Sequence, residues 1–171
     1  LIGLITDVLR NGPARTPSLR EAEQADAVLV LGEDVSNTAP RLALTLRQTI
    51  RQASLRHADS VNIPRWQDIS VRESTAPGVH SPLLIATPAA TRLDDVASVT
   101  FRGSAEDIAR LGFAIAHELD SHAPAVPDLD EDTRARAVRI AAALRRATRP
   151  LIVSGTGCAS AAMIRAAANV A

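Results

Sequence analysis

Four short, mostly apolar runs constrain the fold of this chain more than any other feature. Three of them are continuous aliphatic stretches between polar flanks, a pattern typical of strands that are covered on both faces. Segments with helical spacing separate the runs. Strands that alternate with helices predict an α/β fold, a Rossmann-like parallel sheet with helices on both faces. The predicted strands are Ala27–Leu31, Leu83–Thr87, Val99–Arg102 and Leu151–Ser154.

Helical spacing predicts most of the connections between these strands. The clearest helix follows Ser104, a residue that favours helix N-termini, and carries Ile108, Leu111, Ile115 and Leu119 on one face. Residues 57–82 are broken by Pro64, Pro77 and Gly78 and are predicted to be mostly irregular. The other predicted helices are one from Pro40 to about Arg56, a short one over Thr91–Ala97, one that opens at Asp130–Asp132, and an alanine-rich helix after Gly157.

The same pattern predicts one α/β domain over residues 1–126, with its core at residues 22–120. Pro124 and Pro127 mark a linker, after which residues 127–171 either return to the same sheet or open the next subdomain. Because the chain starts at Leu1 without a methionine and stops after a helical pattern, we expect it to be a fragment of a longer polypeptide.

Composition excludes several kinds of chemistry. All 19 basic residues are arginine and tyrosine is absent, which excludes a P-loop lysine, a Schiff-base lysine and a tyrosine acid or base. Cys158 is the single cysteine, so an iron–sulfur cluster, a structural zinc site or an internal disulfide would lack thiolates. Acidic and basic residues balance at 19 each, so no net field favours nucleic acid or anionic lipid. We expect a soluble chain from a reducing compartment, without a membrane span.

The loop after the first strand, Gly32–Thr38, is the main candidate for ligand binding. Ligands of open α/β sheets bind where a strand ends and a helix begins, because free backbone N–H groups there favour anions. Glu33 and Asp34 would repel a diphosphate, although Asp34 could accept hydrogen bonds from a ribose or a base. The alternative is a plain strand–helix turn in which Asp34 and Ser36 cap the helix.

Three further motifs give weaker signals. Ser154–Ser160 contains Gly-x-Gly but has serine where a dinucleotide fingerprint needs its third glycine, so a tight turn is favoured. His117 and His122 are five residues apart and diverge around a helix, whereas the zinc-protease motif needs a spacing of four. Asp128–Asp132 resembles the start of a calcium loop but lacks the later glycine and glutamate. We predict no metal site and no catalytic residues.

Six arginines between Arg134 and Arg149 form a further candidate surface. A solvated helix face is the simplest interpretation, and an acidic surface on a partner chain is the functional alternative.

Four segments in order resemble the molybdopterin oxidoreductase superfamily, and within it the large iron–sulfur subunits of bacterial respiratory NADH:quinone oxidoreductase, complex I. They read ADAVLVLGEDVSNTAPRLAL, PLLIATPAATRLDDVAS, FRGSAEDIARLGFAIAHEL and RPLIVSGTG. The similarity covers most of Ala22–Leu119 and returns at Arg149–Gly157. It implies a molybdopterin oxidoreductase-type α/β domain and, in the parent subunit, electron transfer from NADH to quinone.

In catalytic members of the superfamily this region helps to hold molybdopterin guanine dinucleotide. Their loop similar to Gly32–Pro40 contacts the cofactor, and their second strand ends in Asp-Pro-Arg, whose acid helps to hold the guanosine. Here the matching positions are Thr87, Pro88 and Ala89, so the proline remains while the acid and the base are absent. The resemblance to the large complex I subunit therefore implies a cofactor-free loop, and the vestigial loop candidates are Gly32, Asp34, Thr38, Thr87 and Arg92. The iron–sulfur clusters are expected in an amino-terminal region of the parent subunit.

The primary hypothesis is a structural, non-catalytic domain that contacts other subunits of the peripheral arm of complex I, on the cytoplasmic side of the bacterial inner membrane. No nucleic-acid partner and no direct insertion into the membrane are expected. The first alternative is a functional nucleotide-binding domain of a molybdopterin- or thiamine-diphosphate-type enzyme, because RPLIVSGTG before an alanine-rich helix also resembles the central domain of the latter. The second is a pure assembly module that uses the Arg134–Arg149 face.

Overall fold

The sheet contains all four predicted strands in parallel orientation. The computed structural model describes residues 1–171, and its strands are β1 (Ala27–Leu31), β2 (Leu83–Ala86), β3 (Val99–Phe101) and β4 (Pro150–Ser154). Their order across the sheet is β3-β2-β1-β4. The predicted Rossmann-like α/β class is confirmed, and the strand order reverses between β1 and β4.

Nine α-helices surround the sheet. They are α1 (Ile2–Asn11), α2 (Leu19–Ala22), α3 (Val35–Thr38), α4 (Pro40–Thr49), α5 (Gln52–Ser60), α6 (Asp68–Ser74), α7 (Ala105–Leu119), α8 (Glu131–Arg146) and α9 (Ala161–Val170). None of them is long and apolar enough to cross a membrane.

The two faces of the sheet carry separate apolar clusters. Leu29 and Leu31 of β1 belong to the larger cluster, together with residues of α7, α8 and α9. Val28 and Val30 point to the opposite face and pack with residues of α4. Because successive residues of a strand alternate between faces, a strand covered on both sides must be apolar throughout. This requirement explains the uninterrupted aliphatic run of β1.

Helices α7 and α9 approach each other closely at Gly112. A Cβ atom added there would lie 2.9 Å from the Cβ of Ala166 and 3.3 Å from a methyl carbon of Leu31. Glycine thus lets the two helix backbones and the underlying strand share one dense layer.

Local capping signals correctly predicted two long helices. Ser104 accepts a hydrogen bond from the backbone N–H of Asp107 at 3.2 Å, and the Asp107 carboxylate accepts one from the N–H of Ser104 at 3.0 Å. This reciprocal arrangement is a capping box. Asp130 caps α8 by accepting from the N–H of Thr133 at 2.9 Å.

The single helix predicted from Pro40 to Arg56 is wrong. A turn at Ile50 and Arg51 divides it into α4 and α5, and α5 continues to Ser60. The Thr49 hydroxyl donates to the carbonyl of Leu46 at 2.7 Å, and the carbonyl of Ile50 accepts from the N–H of Ser81 at 3.0 Å. Since these carbonyls serve donors outside the regular helical pattern, the helix is interrupted there.

The irregular structure predicted for residues 57–82 is also wrong in part, because α5 ends and α6 lies within this stretch. Pro64 lies between the two helices and Pro77 follows the second, so these prolines bound helices instead of excluding them. The helix predicted over Thr91–Ala97 is reduced to a short 3₁₀ turn at Asp94–Val96. No element was predicted for residues 1–21, where the structure has α1 and the start of α2.

A buried carboxylate joins the beginnings of β1 and β4. Asp26 is 6% exposed and accepts hydrogen bonds from the backbone N–H groups of Thr148 at 3.1 Å and Arg149 at 2.8 Å. Its third donor is the guanidinium of Arg56 at 2.9 Å. The contact ties residues 127–171 to the first strand, while the predicted domain boundary at residue 126 stays a prediction.

Candidate functional site

The two candidate loops of the sequence meet at the carboxyl ends of β1 and β4. Leu31 pairs with Ser154 in the sheet, so Gly32–Thr38 and Gly155–Ser160 leave the sheet side by side. The Ser154 hydroxyl donates to the carbonyl of Leu31 at 2.9 Å, and the Cys158 thiol donates to that of Gly32 at 3.0 Å. A crevice where the strand order reverses is the usual ligand site of an open α/β sheet.

The side chain of Glu33 occupies the space between these loops. Glu33 is 8% exposed; one carboxylate oxygen accepts from the backbone N–H of Gly157 at 2.9 Å, and the other accepts from the hydroxyl of Thr38 at 2.9 Å. A Cβ atom on Gly155 would collide with this carboxylate, so glycine there lets Glu33 keep its position. The sequence predicted that Glu33 would repel a diphosphate, but it did not reveal that the side chain fills the crevice.

Asp34 binds within the first loop, whereas the buried hydroxyl of Ser36 has no hydrogen-bond partner. Asp34 caps α3 by accepting from the N–H of Ser36 at 3.0 Å, and it also accepts from the side-chain amide of Asn37 at 2.6 Å. Gly32 has a φ of +70°, and a Cβ there would lie 2.8 Å from the terminal methyl of Met163. Both the positive φ and the close methionine therefore require glycine at this turn.

Thr87 directly follows β2 at the same edge of the sheet and is buried. Its hydroxyl donates to the carbonyl of Ala89 at 2.9 Å and accepts from the guanidinium of Arg102 at 2.9 Å. Arg102 also forms an ion pair with Asp94. Arg92 is exposed, and its carbonyl accepts from Arg47 at 2.6 Å. Arg102 was not among the predicted site residues, although its position directly after β3 was a usable signal.

The chain is similar over almost its whole length to one type of protein. It is 46% identical to the G subunit of NADH-quinone oxidoreductase from Pseudomonas fluorescens, over 99% of this chain and 19% of that protein. The corresponding subunits of Salmonella typhimurium and Escherichia coli K12 are 46% and 45% identical over 98% of this chain and 18% of their length. The chain is homologous to one segment of this NADH-quinone oxidoreductase subunit. It spans less than a fifth of the length of these relatives, and no protein-family model matches it.

The remaining polar motifs of the chain do not form a cluster. His117 contacts the carbonyl of Ala123 through Nδ1 at 2.7 Å, whereas His122 contacts the carboxylate of Asp120 at 2.8 Å. No three His, Cys, Asp or Glu side chains lie together in a way that could hold a metal ion.

Only part of the Arg134–Arg149 face is free for a partner. Arg136 pairs with Asp132 on the same helix, Arg145 donates to the carbonyl of Glu118, and Arg149 donates to the side chain of Gln24. The exposed arginines of α8 outside these contacts are Arg134, Arg139 and Arg146. The surface is therefore smaller than the six arginines of the sequence suggest.

Burial and a neighbouring charge make the thiol of Cys158, the single cysteine, a weak acid. Burial raises the pKa of Cys158, and the negative charge of Glu33 raises it further. Thiolates, not thiols, are nucleophiles and metal ligands. Cys158 is consequently poorly suited to either role at neutral pH.

Asp94 makes a pH-dependent contribution to the stability of the fold. Burial opposes ionisation of Asp94, but hydrogen bonds from Arg102 and Thr91 outweigh it and hold its pKa below the ordinary value of 3.8. A carboxylate whose pKa is lower in the folded state stabilises the fold above its unfolded-state pKa, and this stabilisation is lost as the pH falls through the folded-state value. We therefore expect the melting temperature to fall as the pH is lowered below about 5 and Asp94 becomes protonated.

The Asp94→Asn variant checks this expectation, because the amide does not titrate. It should melt lower than the wild type at pH 7 and lose less on acidification, as followed by circular dichroism. Arg102→Gln removes the cation and should flatten the pH dependence in the same direction. Equal acid slopes in all three proteins would contradict the role of Asp94.

Proposed function

We propose that this chain is a structural, non-catalytic domain of a subunit of NADH-quinone oxidoreductase, respiratory complex I. The parent enzyme transfers electrons from NADH to quinone, and this domain contributes neither an electron carrier nor a catalytic group. One observation carries the proposal: the main polar side chains at the strand tips are hydrogen-bonded within the chain, Glu33 between the β1 and β4 loops and Thr87 to Arg102 beside β2 and β3. Glu33, Thr87 and Arg102 all have partners within the chain. The homology to a segment of an NADH-quinone oxidoreductase subunit supports the same role.

The residues of the crevice do not fit a guanine dinucleotide. The buried carboxylate of Glu33 lies where the two loops would have to admit a ligand, and it would repel a diphosphate. The hydroxyl of Thr87 is engaged by Ala89 and Arg102 and stands where an acid would hold the guanosine. An iron–sulfur cluster does not fit either, because Cys158 is one half-buried thiol bonded to a backbone carbonyl.

Such a domain would fill the space between neighbouring subunits. We propose that it packs against other subunits of the peripheral arm, on the cytoplasmic side of the bacterial inner membrane, and shields clusters held elsewhere in the enzyme. Large apolar side chains on its surface, such as Trp66 at 81% exposure and Ile69 at 68%, support contacts of this kind. Exposed tryptophan is enriched among residues that dominate protein interfaces.

Metal and cofactor analysis of the purified chain tests the proposal. We expect no stoichiometric iron, sulfide or molybdenum, no visible absorption, and no heat of binding on titration with guanine or adenine dinucleotides. Bound metal would contradict a structural role, and micromolar binding of a dinucleotide would favour the alternative of a functional nucleotide-binding domain. Thr87→Asp places an acid at the position after β2. Titration of the parent enzyme, purified from a strain with this substitution, provides a control for that position.

A further inference from the structure

The closed crevice has the properties of an anion site. We propose that the space between the β1 and β4 loops is an oxyanion site whose occupant is the carboxylate of Glu33 itself. When that side chain is shortened, the site takes a free carboxylate such as formate. This inference does not depend on the proposed structural role, since it concerns what the crevice can bind and not what the parent enzyme does.

The first argument is the set of donors. The backbone N–H of Gly157 and the hydroxyl of Thr38 approach different oxygens of the Glu33 carboxylate, each at 2.9 Å. The donors come from the two separate loops, so the carboxylate bridges them. Two donors on two oxygens are an arrangement that a free carboxylate of the same shape can also satisfy.

The second argument is the shape of the cradle. A Cβ on Gly155 would overlap a carboxylate oxygen of Glu33, and a Cβ on Gly157 would lie 3.0 Å from the same oxygen. Glycine at both positions lets the backbone approach an anion closely, as it does in loops that bind phosphate.

The third argument is the charge. Glu33 is almost fully buried, and none of the ion pairs of the chain includes it. A buried carboxylate without a cation depends on hydrogen-bond donors for its stabilisation. The crevice therefore tolerates a negative charge through neutral donors alone, which is the defining property of an oxyanion site.

The test compares Glu33→Ala with Glu33→Gln. The alanine variant leaves the N–H of Gly157 without a partner, and the hydroxyl of Thr38 keeps only its contact to the carbonyl of Asp34 at 3.1 Å, beside a space of carboxylate size. The glutamine variant keeps an oxygen acceptor in that space and removes the charge. Thermal melting is followed in sodium formate, in sodium chloride of equal ionic strength, and in formamide, the neutral analogue of formate.

We expect formate to raise the melting temperature of Glu33→Ala by about 4 °C at ten times its Kd. Neither the wild type nor Glu33→Gln should respond, because the space is filled in both, and chloride and formamide should have no effect. If Glu33→Ala is unfolded without additives, recovery of its circular dichroism spectrum in formate is the equivalent result. No response of Glu33→Ala to formate, or an equal response of the wild type, would overturn the inference.

A second readout does not depend on stability. Glu33 is one of the two causes that raise the pKa of Cys158. Alkylation of Cys158 by iodoacetamide at pH 8 should therefore be faster in Glu33→Ala than in the wild type, and formate should slow it again. Acceleration without reversal by formate would mean that the emptied space takes no anion. Dinucleotide binding by the unaltered chain would instead contradict the proposed function, so the two failures are distinguishable.

Discussion

Asp26→Ala is expected to lower the free energy of unfolding by about 3 kcal/mol, because it removes a buried carboxylate that accepts hydrogen bonds from two backbone N–H groups. Those groups belong to Thr148 and Arg149 at the start of β4, and their hydrogen bonds to Asp26 are 3.1 Å and 2.8 Å long. A hydrogen bond to a charged acceptor contributes about 1.5–3 kcal/mol, and partial exposure of these two lowers their sum. Urea unfolding at pH 7, followed by circular dichroism, measures the loss.

Two companion variants identify which contact matters. Arg56→Ala removes the cation that pairs with Asp26, but the Arg56 side chain is half-exposed, so the loss should be under about 1 kcal/mol. Asp26→Asn keeps one oxygen acceptor, so its loss of unfolding free energy should lie between those of Arg56→Ala and Asp26→Ala. If Arg56→Ala proves as costly as Asp26→Ala, the ion pair and not the backbone anchor would stabilise the junction of β1 and β4.

Gly112→Val is expected to cost about 3 kcal/mol through overpacking between α7 and α9. The first added carbon would lie 2.9 Å from the Cβ of Ala166 and 3.3 Å from Leu31, and both neighbours are themselves buried. Valine adds two further methyl groups on a stiff side chain, so the helices must separate. The same urea experiment measures the loss.

Gly3→Val is the matched control, because Gly3 also lies within a helix but has no heavy atom within 4 Å of an added Cβ. Its effect on stability should stay within about 0.5 kcal/mol, since only helix propensity changes. A change for Gly112→Val no larger than that for Gly3→Val would show that the approach of α7 to α9 is not tight.

Much of the fold could be predicted from local sequence. The four strands lie where apolar runs were found, and Ser104 and Asp130 mark the starts of α7 and α8 because capping is a contact over three residues. The break at Ile50 could not be predicted in this way. It depends on a hydrogen bond from Ser81, which is distant in sequence. The capping box of Ser18 and Glu21, in contrast, was a local signal for α2 that the prediction left unused.

The candidate site, too, could be predicted from local sequence only in part. Both loops were recognisable as strand–helix turns, but their contact depends on the strand order, which is a long-range property. Glu33 and Gly157 are 124 positions apart, and no local pattern indicates that one accepts a hydrogen bond from the other. The charge of Glu33 suggested repulsion of a ligand from outside. That the same charge is satisfied inside the crevice became visible only when β4 was placed beside β1.

The late position of β4 also has a consequence for synthesis. Asp26 and its partner Arg149 are 123 residues apart, so one edge of β1 has no neighbour until these 123 residues have been synthesised. At about 5–20 residues per second this interval lasts on the order of 6–25 seconds. An uncovered apolar strand edge is a template for pairing with other chains. This segment is therefore most exposed to aggregation just before β4 emerges.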